Sequence, residues 1–163
     1  YVRGLITALT EIDRGQIERL VRALEAARRE KRQIFILGNG GSAANASHLA
    51  TDLAKRRFPD PGSLFRVLSL TDNTAWITAT ANDFGYDEVF SAQLTNLLQP
   101  GDMVIAISSS GNSPNVIKAV EFANAHGAVT YGIVGFGGGR LSAAARHVVE
   151  IPTKPGQYGF MED

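Results

Sequence analysis

The chain has 163 residues, 44% hydrophobic and 20% charged, the composition of one globular domain able to bury roughly two-thirds of its unfolded surface. Sixteen basic residues balance sixteen acidic ones, so no global field draws in nucleic acid or an anionic membrane, and an anionic ligand must be held by a local site. Without cysteine there are no disulfides, no thiolate chemistry and no cysteine-rich zinc module, which points to a small-molecule ligand and a cytoplasmic setting.

Leu5, Leu9 and Ile12, then Ile17, Leu20, Val21 and Leu24, recur at spacings of three and four and predict two amphipathic helices within residues 1–32. Asp13 is placed to cap the second, with Gln16 completing a capping box and the basic run Arg28–Arg32 suiting the helix C-terminus. A stripe this far ahead of the first strand has little sheet to cover, so these helices are expected to pack against another subunit. From residue 33 onward, short apolar runs alternate with helical stretches. The runs Ile34–Leu37, Phe65–Leu70, Met103–Ile107, Val129–Val134 and Val148–Ile151 predict strands, and Asn45–Arg57, Thr74–Ala81, Asp87–Leu98 and Pro114–His126 predict helices. Near-continuous apolar strands alternating with helices specify an α/β fold with a five-stranded parallel sheet covered on both faces, a flavodoxin-like three-layer sandwich. Phe58–Gly62 reads as a turn and not as a domain linker. No apolar stretch approaches the ~18 residues of a membrane span.

Two strand-to-helix loops carry chemistry. Gly38-Asn39-Gly40-Gly41-Ser42 follows the first strand, where backbone N–H groups and the positive end of a helix converge on one point. Ser108-Ser109-Ser110-Gly111-Asn112-Ser113-Pro114 follows the third strand and offers four hydroxyls ahead of a proline suited to the first helical position. One serine, Ser113, suffices to cap the helix, so the others suggest neutral donors for a phosphate. In a sheet of order 2-1-3-4-5 the first and third strands are neighbours, and both loops open on the switch-point crevice. Gly135–Gly139 after the fourth strand reads as turn chemistry.

Asn45, His48 and Asp52 share a face of the helix behind the glycine loop. His48 and Asp52 could carry protons or hold a metal together, or be a surface ion pair. Asn82-Asp83-Phe84-Gly85 falls between two predicted helices, where Asn82 and Asp83 could form an Asx turn or bind sugar hydroxyls.

The segments Gly38–Arg56, Asn82–Gly85 and Ser108–Ala119 together resemble the sugar isomerase (SIS) domain family, and more closely its phosphoheptose isomerase branch, over nearly the whole chain. The resemblance implies an aldose-ketose isomerase that converts sedoheptulose 7-phosphate to a heptose 7-phosphate through an enediol, acting as a homotetramer with shared sites. It implies substrate binding by Asn39, Gly40, Gly41, Ser42, Asp52, Asn82, Asp83, Ser108, Ser109, Ser110, Ser113 and Glu162, catalysis by Asp52 and His48, and zinc on His48, Asp52 and Glu162. A further catalytic histidine is implied beyond Asp163, on a terminal helix that continues past this sequence. Asp52 departs from the Glu of the better-known bacterial enzymes, which retracts the carboxylate by roughly 1.5 Å.

Two other readings compete. A non-catalytic SIS protein of the kind that binds the bacterial replication initiator shares the segment Ser42–Ser47 but lacks a carboxylate at the position of Asp52. A dinucleotide module would fit Gly38-x-Gly40-x-x-Ala43, but its ribose-binding acid should follow within about 20 residues, and Asp72 comes far too late. No nucleotide cofactor is therefore expected.

Overall fold

The structure, a computed structural model, describes residues 1–55 and 64–162, the side chain of Glu162 excepted. Helices α1 (Val2–Glu11) and α2 (Arg14–Arg29) lead into strand β1 (Gln33–Gly38), helix α3 (Gly41–Ala54) and strand β2 (Arg66–Ser69). Helix α4 (Thr74–Phe84), a 3-10 turn (Tyr86–Glu88) and α5 (Ser91–Leu97) precede β3 (Met103–Ser108), α6 (Pro114–Ala125) and β4 (Val129–Val134). Helix α7 (Gly139–Ala144), β5 (His147–Glu150) and α8 (Tyr158–Glu162) complete the chain. All five strands are parallel in the order β2-β1-β3-β4-β5, the expected flavodoxin-like arrangement, and each strand lies within one residue of its predicted bounds.

The central strands read as unbroken apolar runs because each of their faces is covered. Phe35, Leu37, Val104 and Ala106 pack with Leu94 of α5, Val116 and Val120 of α6 and Leu141 of α7. The alternate residues Ile34, Ile36, Met103, Ile105 and Ile107 pack against Ala27 of α2, Ala46, Ala50 and Leu53 of α3, and Met161 of α8. Strand alternation thus sorts one continuous sequence run into two cores.

Helix α2 differs from the expectation of an extension with no sheet to cover. Ala27 is buried in the second core, Leu20, Ala23 and Leu24 lie against it, and the Tyr131 hydroxyl donates to the Arg19 carbonyl at 3.2 Å. Asp13 caps α2 through the Gly15 N–H at 2.8 Å, but Gln16 does not complete a capping box. Its Oε1 instead accepts from the Glu150 N–H at 2.8 Å, supplying edge strand β5 with an acceptor that no further strand provides. The face left uncovered belongs to α1, where Val2, Ile6 and Leu9 are exposed, and continues to Val21 of α2.

Three helices depart from their predicted limits. α3 begins at Gly41 and not at Asn45, because the turn after β1 closes within Gly38–Gly40. α4 runs on to Phe84 and takes in Asn82 and Asp83, so helical backbone stands where an Asx turn was expected; the Asn82 amide donates to the Asp83 carboxylate at 2.8 Å, and the helix stops at Gly85. The predicted helix Asp87–Leu98 is divided into the 3-10 turn and α5. The Glu88 carboxylate accepts from the Lys118 ammonium and the Ser91 hydroxyl, which hold it below the ordinary carboxylate range and tie the 3-10 turn to α6. Arg57 and the turn Phe58–Gly62 lie outside the described residues. Among the described residues no helix is long and apolar enough to cross a membrane.

At the N-terminal edge of the sheet, the buried Asp102 carboxylate accepts from the Gln33 N–H at 3.0 Å and from the Gln99 N–H at 2.9 Å, joining the starts of β1 and β3. Asp102→Ala leaves both donors without this acceptor. It is expected to lower the unfolding free energy by about 2–3 kcal/mol, measured as a lower urea midpoint at unchanged slope.

Candidate anion site at the switch point

Gly38 at the end of β1 pairs with Ile107 at the end of β3, so the two loops leave the sheet side by side. A side chain at Gly38 would meet the Ser42 and Ile107 carbonyl oxygens at 2.8 and 2.9 Å; only glycine lets the first turn of α3 come this close to β3. Asn39, Gly40, Gly41 and Ser42 then line one cavity of about 260 Å³ with Ser108, Ser109, Ser110 and Ser113. These eight expected residues are joined there by Ile107 and Tyr158.

Among the described residues the cavity wall holds hydroxyls, the Asn39 amide and backbone but no charged side chain. Helices α3 and α6 both begin at it, and the first N–H groups of a helix have no acceptor within the helix. Such an array suits a tetrahedral oxyanion: dipoles and hydroxyls donate to it without the desolvation cost of burying a cation. Ser113 stands at the N-cap of α6 with Pro114 at the first helical position, yet its side chain makes no capping hydrogen bond. The alternative use for this hydroxyl is therefore not taken up.

Two features that the sequence did not signal hold the loops in register. Asn39 and Asn115, 76 positions apart, exchange amide hydrogen bonds: Asn39 Nδ2 donates to Asn115 Oδ1 at 2.9 Å and Asn115 Nδ2 donates to Asn39 Oδ1 at 3.0 Å. Asn115 Oδ1 also accepts from the Val116 N–H at 3.0 Å, and Asn39 Oδ1 from the Tyr86 hydroxyl at 3.0 Å. Asn39 is thus occupied in joining the loops, and Tyr86 connects the end of α4 to them.

The second feature is the glycine run Gly135–Gly139, which backs the serine loop as well as making a turn. The Leu141 N–H donates to the Gly111 carbonyl at 2.8 Å, the Gly135 N–H to the Ser109 carbonyl at 3.2 Å, and the Asn112 amide to the Ser110 carbonyl at 2.9 Å. Gly111 has φ +63° and a side chain there would meet the Gly138 carbonyl oxygen at 1.9 Å, so backbone packs directly on backbone. The carbonyls of Ser109, Ser110 and Gly111 are thus engaged in hydrogen bonds of their own.

The remaining candidates lie apart from the cavity wall. His48 and Asp52 are partnered on the outer surface of α3, with Nε2 3.3 Å from Oδ2, and the Lys55 ammonium sits 2.6 Å from the other carboxylate oxygen. Asn82 and Asp83 are exposed and bonded to each other. Among the described residues no three metal-ligating side chains cluster, and the side chain of Glu162 lies outside them. Of the zinc ligands that the resemblance implies, His48 and Asp52 are brought together, with the Lys55 ammonium also on Asp52. Asp72, close after β2, accepts from the hydroxyls of Ser47 and Thr71.

Asn115→Ala removes three hydrogen bonds from a buried position and leaves the Asn39 amide and the Val116 N–H without those partners. It is expected to cost about 1–3 kcal/mol in urea unfolding and to weaken the binding of inorganic phosphate in calorimetry, with Asn115→Asp in between because it accepts but does not donate. Unchanged stability and affinity in Asn115→Ala would contradict the role given to the amide pair.

The SIS domain family model matches residues 1–135. A phosphoheptose isomerase from Rhodospirillum rubrum is 42% identical over 125 residues, covering 74% of this chain and 64% of that protein. Among solved structures, a phosphoheptose isomerase from Neisseria gonorrhoeae superposes with a TM-score of 0.80 at 31% identity, covering 99% of this chain and 86% of that one. A phosphoheptose isomerase from Francisella tularensis shares the fold with a TM-score of 0.88 at 23% identity, covering 99% and 84%. The chain spans less than two-thirds of the length of the Rhodospirillum relative. A matching domain model, a relative of this similarity and the fold shared with the Neisseria structure lead to one assignment: the chain belongs to the SIS domain family, in its phosphoheptose isomerase branch.

Proposed function

We propose that the cavity holds the phosphoryl group of a seven-carbon sugar phosphate and that the protein interconverts sedoheptulose 7-phosphate and a heptose 7-phosphate. The observation that carries this reading is the convergence of the glycine and serine loops on one cavity, with no charged side chain among the described residues of its wall, at the starts of α3 and α6. The relatives in the Rhodospirillum and Neisseria comparisons are phosphoheptose isomerases, which supports the choice of substrate and reaction.

Helix α3 then relates the anchored phosphate to the reacting carbons. Six residues separate Ser42 from His48 and ten separate it from Asp52, about 9 and 15 Å along the axis. An extended seven-carbon chain spans roughly 8 Å, so a substrate held by its phosphate and lying along α3 brings C1 and C2 to the level of His48. Side chains on a helix lean toward its N-terminus, which carries the Asp52 carboxylate back toward that level.

Asp52 acts as a base on C1 of the open-chain ketose. The C1–H electron pair becomes the C1–C2 double bond of an enediol as the C2 carbonyl oxygen gains a proton. Return of a proton to C2 while O1 gives up its proton leaves the aldose, and atoms and charge balance. His48 orients the Asp52 carboxylate through the 3.3 Å contact. The second proton-transfer group is the histidine that the resemblance implies beyond Asp163. His48, Asp52 and Glu162 would hold the zinc that the resemblance implies, which would polarise the sugar oxygens, and no step is routed through it.

The homotetramer is also part of the proposal. The exposed side chains of Val2, Ile6, Leu9 and Val21 supply an apolar face for a second subunit. Light scattering on the full-length protein at micromolar concentration is expected to find a tetramer, and a folded monomer would refute this part. The chemistry is tested by Asp52→Asn, which should lower turnover ~10²- to 10⁴-fold while sugar-phosphate affinity changes little. Near-normal turnover would remove Asp52 from the mechanism and leave the cavity as a binding site alone.

A further inference from the structure

Among the described residues that line the cavity, Tyr158 is the one that comes from neither loop nor the strands that lead into them. It opens α8, and several contacts fix its place. The Gln157 N–H donates to the Lys154 carbonyl at 3.0 Å, and Gln157 Oε1 accepts from the Lys154 N–H at 2.8 Å, closing the turn ahead of it. Met161, one turn further on, is buried in the core beneath the sheet.

The Tyr158 ring meets Phe136 edge to face, with centroids 5.0 Å apart and planes at 77°. Phe136 carries φ +52°, a left-handed backbone that a bulky side chain rarely adopts. Its N–H is held by Thr153 Oγ1 at 3.3 Å, and Thr153 is itself buried. A strained aromatic residue therefore braces the tyrosine. The brace leaves the hydroxyl end unused: among the described residues the Tyr158 hydroxyl has no hydrogen-bond partner, although the residue lines the cavity with the serine hydroxyls.

We infer that Tyr158 is a substrate-positioning residue whose hydroxyl donates to a phosphoryl oxygen of the bound ligand, closing the donor array on the side the two loops leave open. This rests on the reading of the cavity as a phosphoryl site and adds a third, non-loop contributor to it. The size of the cavity agrees: at about 260 Å³ it lies below the usual 300–1,000 Å³ of sites that enclose a whole small molecule, which suits the phosphoryl end of a sugar phosphate. Phenol is also a neutral donor, in keeping with a wall that binds by dipoles and hydroxyls.

The test compares Tyr158→Phe, Ser110→Ala and the unaltered full-length protein by calorimetry with inorganic phosphate and, separately, sedoheptulose 7-phosphate. Tyr158→Phe keeps the ring and its packing on Phe136 and removes only the hydroxyl. Affinity for both ligands is expected to fall by the same factor, about tenfold, as for loss of one hydrogen bond to a charged group. KM should rise with kcat unchanged, and the melting temperature should stay the same because the side chain is half exposed. Phe136→Ala, which removes the brace and keeps the hydroxyl, should lose part of the same affinity. Unchanged phosphate affinity in Tyr158→Phe overturns the inference, as does a loss confined to the sugar phosphate, which would make the ring a wall for the sugar. If Ser110→Ala weakens phosphate binding while Tyr158→Phe does not, the tyrosine's role alone fails. If the unaltered protein binds neither ligand, or Ser110→Ala has no effect either, the phosphoryl reading of the cavity fails with it.

Discussion

β1 and β3 run side by side through the middle of the sheet, paired from Ile34 with Met103 to Gly38 with Ile107, and the site depends on that pairing. Each strand ends in a loop that opens a helix, so two helix N-termini come together beyond the carboxyl edge of the sheet. The reversal of strand order at this point leaves the crevice open, since β2 lies to one side and β4 to the other. Covering both faces of the sheet with helices is what allows five parallel strands, and the sorting of Phe35 and Leu37 from Ile34 and Ile36 shows how each run meets that demand.

Pairing of the strands alone would not shape the loops. A strand-to-helix loop has carbonyl groups as well as N–H groups, and carbonyls facing an oxyanion would repel it. The structure directs the carbonyls of Ser109, Ser110 and Gly111 into hydrogen bonds with Gly135, Asn112 and Leu141. The reciprocal Asn39–Asn115 amides then tie one loop to the helix that follows the other. Neutral donors so arranged need no cation in the wall, which agrees with a chain of zero formal charge: the attraction is local and built from oriented dipoles.

Distance along α3 separates binding from chemistry. Ser42 at its start belongs to the cavity, while His48 and Asp52 lie two and three turns on, partnered with each other and with Lys55. The proposed function uses this separation, since a phosphate far from the reacting carbons of an open-chain sugar can be gripped without disturbing the proton transfers. Binding energy at the remote group supplies orientation at C1 and C2. The polar outer face of α3 and the apolar face of α1 are both open on a single chain, and the tetramer proposed above gives them neighbours.

Periodicity and turn chemistry sufficed for the architecture. Apolar runs of four to six residues between helical stretches specified five buried parallel strands, and Gly38–Ser42 and Ser108–Ser113 marked the two loops, because both are local patterns dictated by backbone geometry. Helix α4 runs three residues past Ala81, the limit its pattern predicts, and Gln16 does not complete the expected capping box because its acceptor serves Glu150, 134 residues away. Asn115, Tyr158 and the bracing Phe136 left no trace in the sequence for the same reason. Their significance lies in partners that only the fold brings near: Asn39 across 76 positions, and a cavity whose other walls precede α8 by more than forty residues. A residue's own preference for helix, strand or turn is written in its neighbours, but a hydrogen bond between distant side chains exists only once the sheet has set their separation.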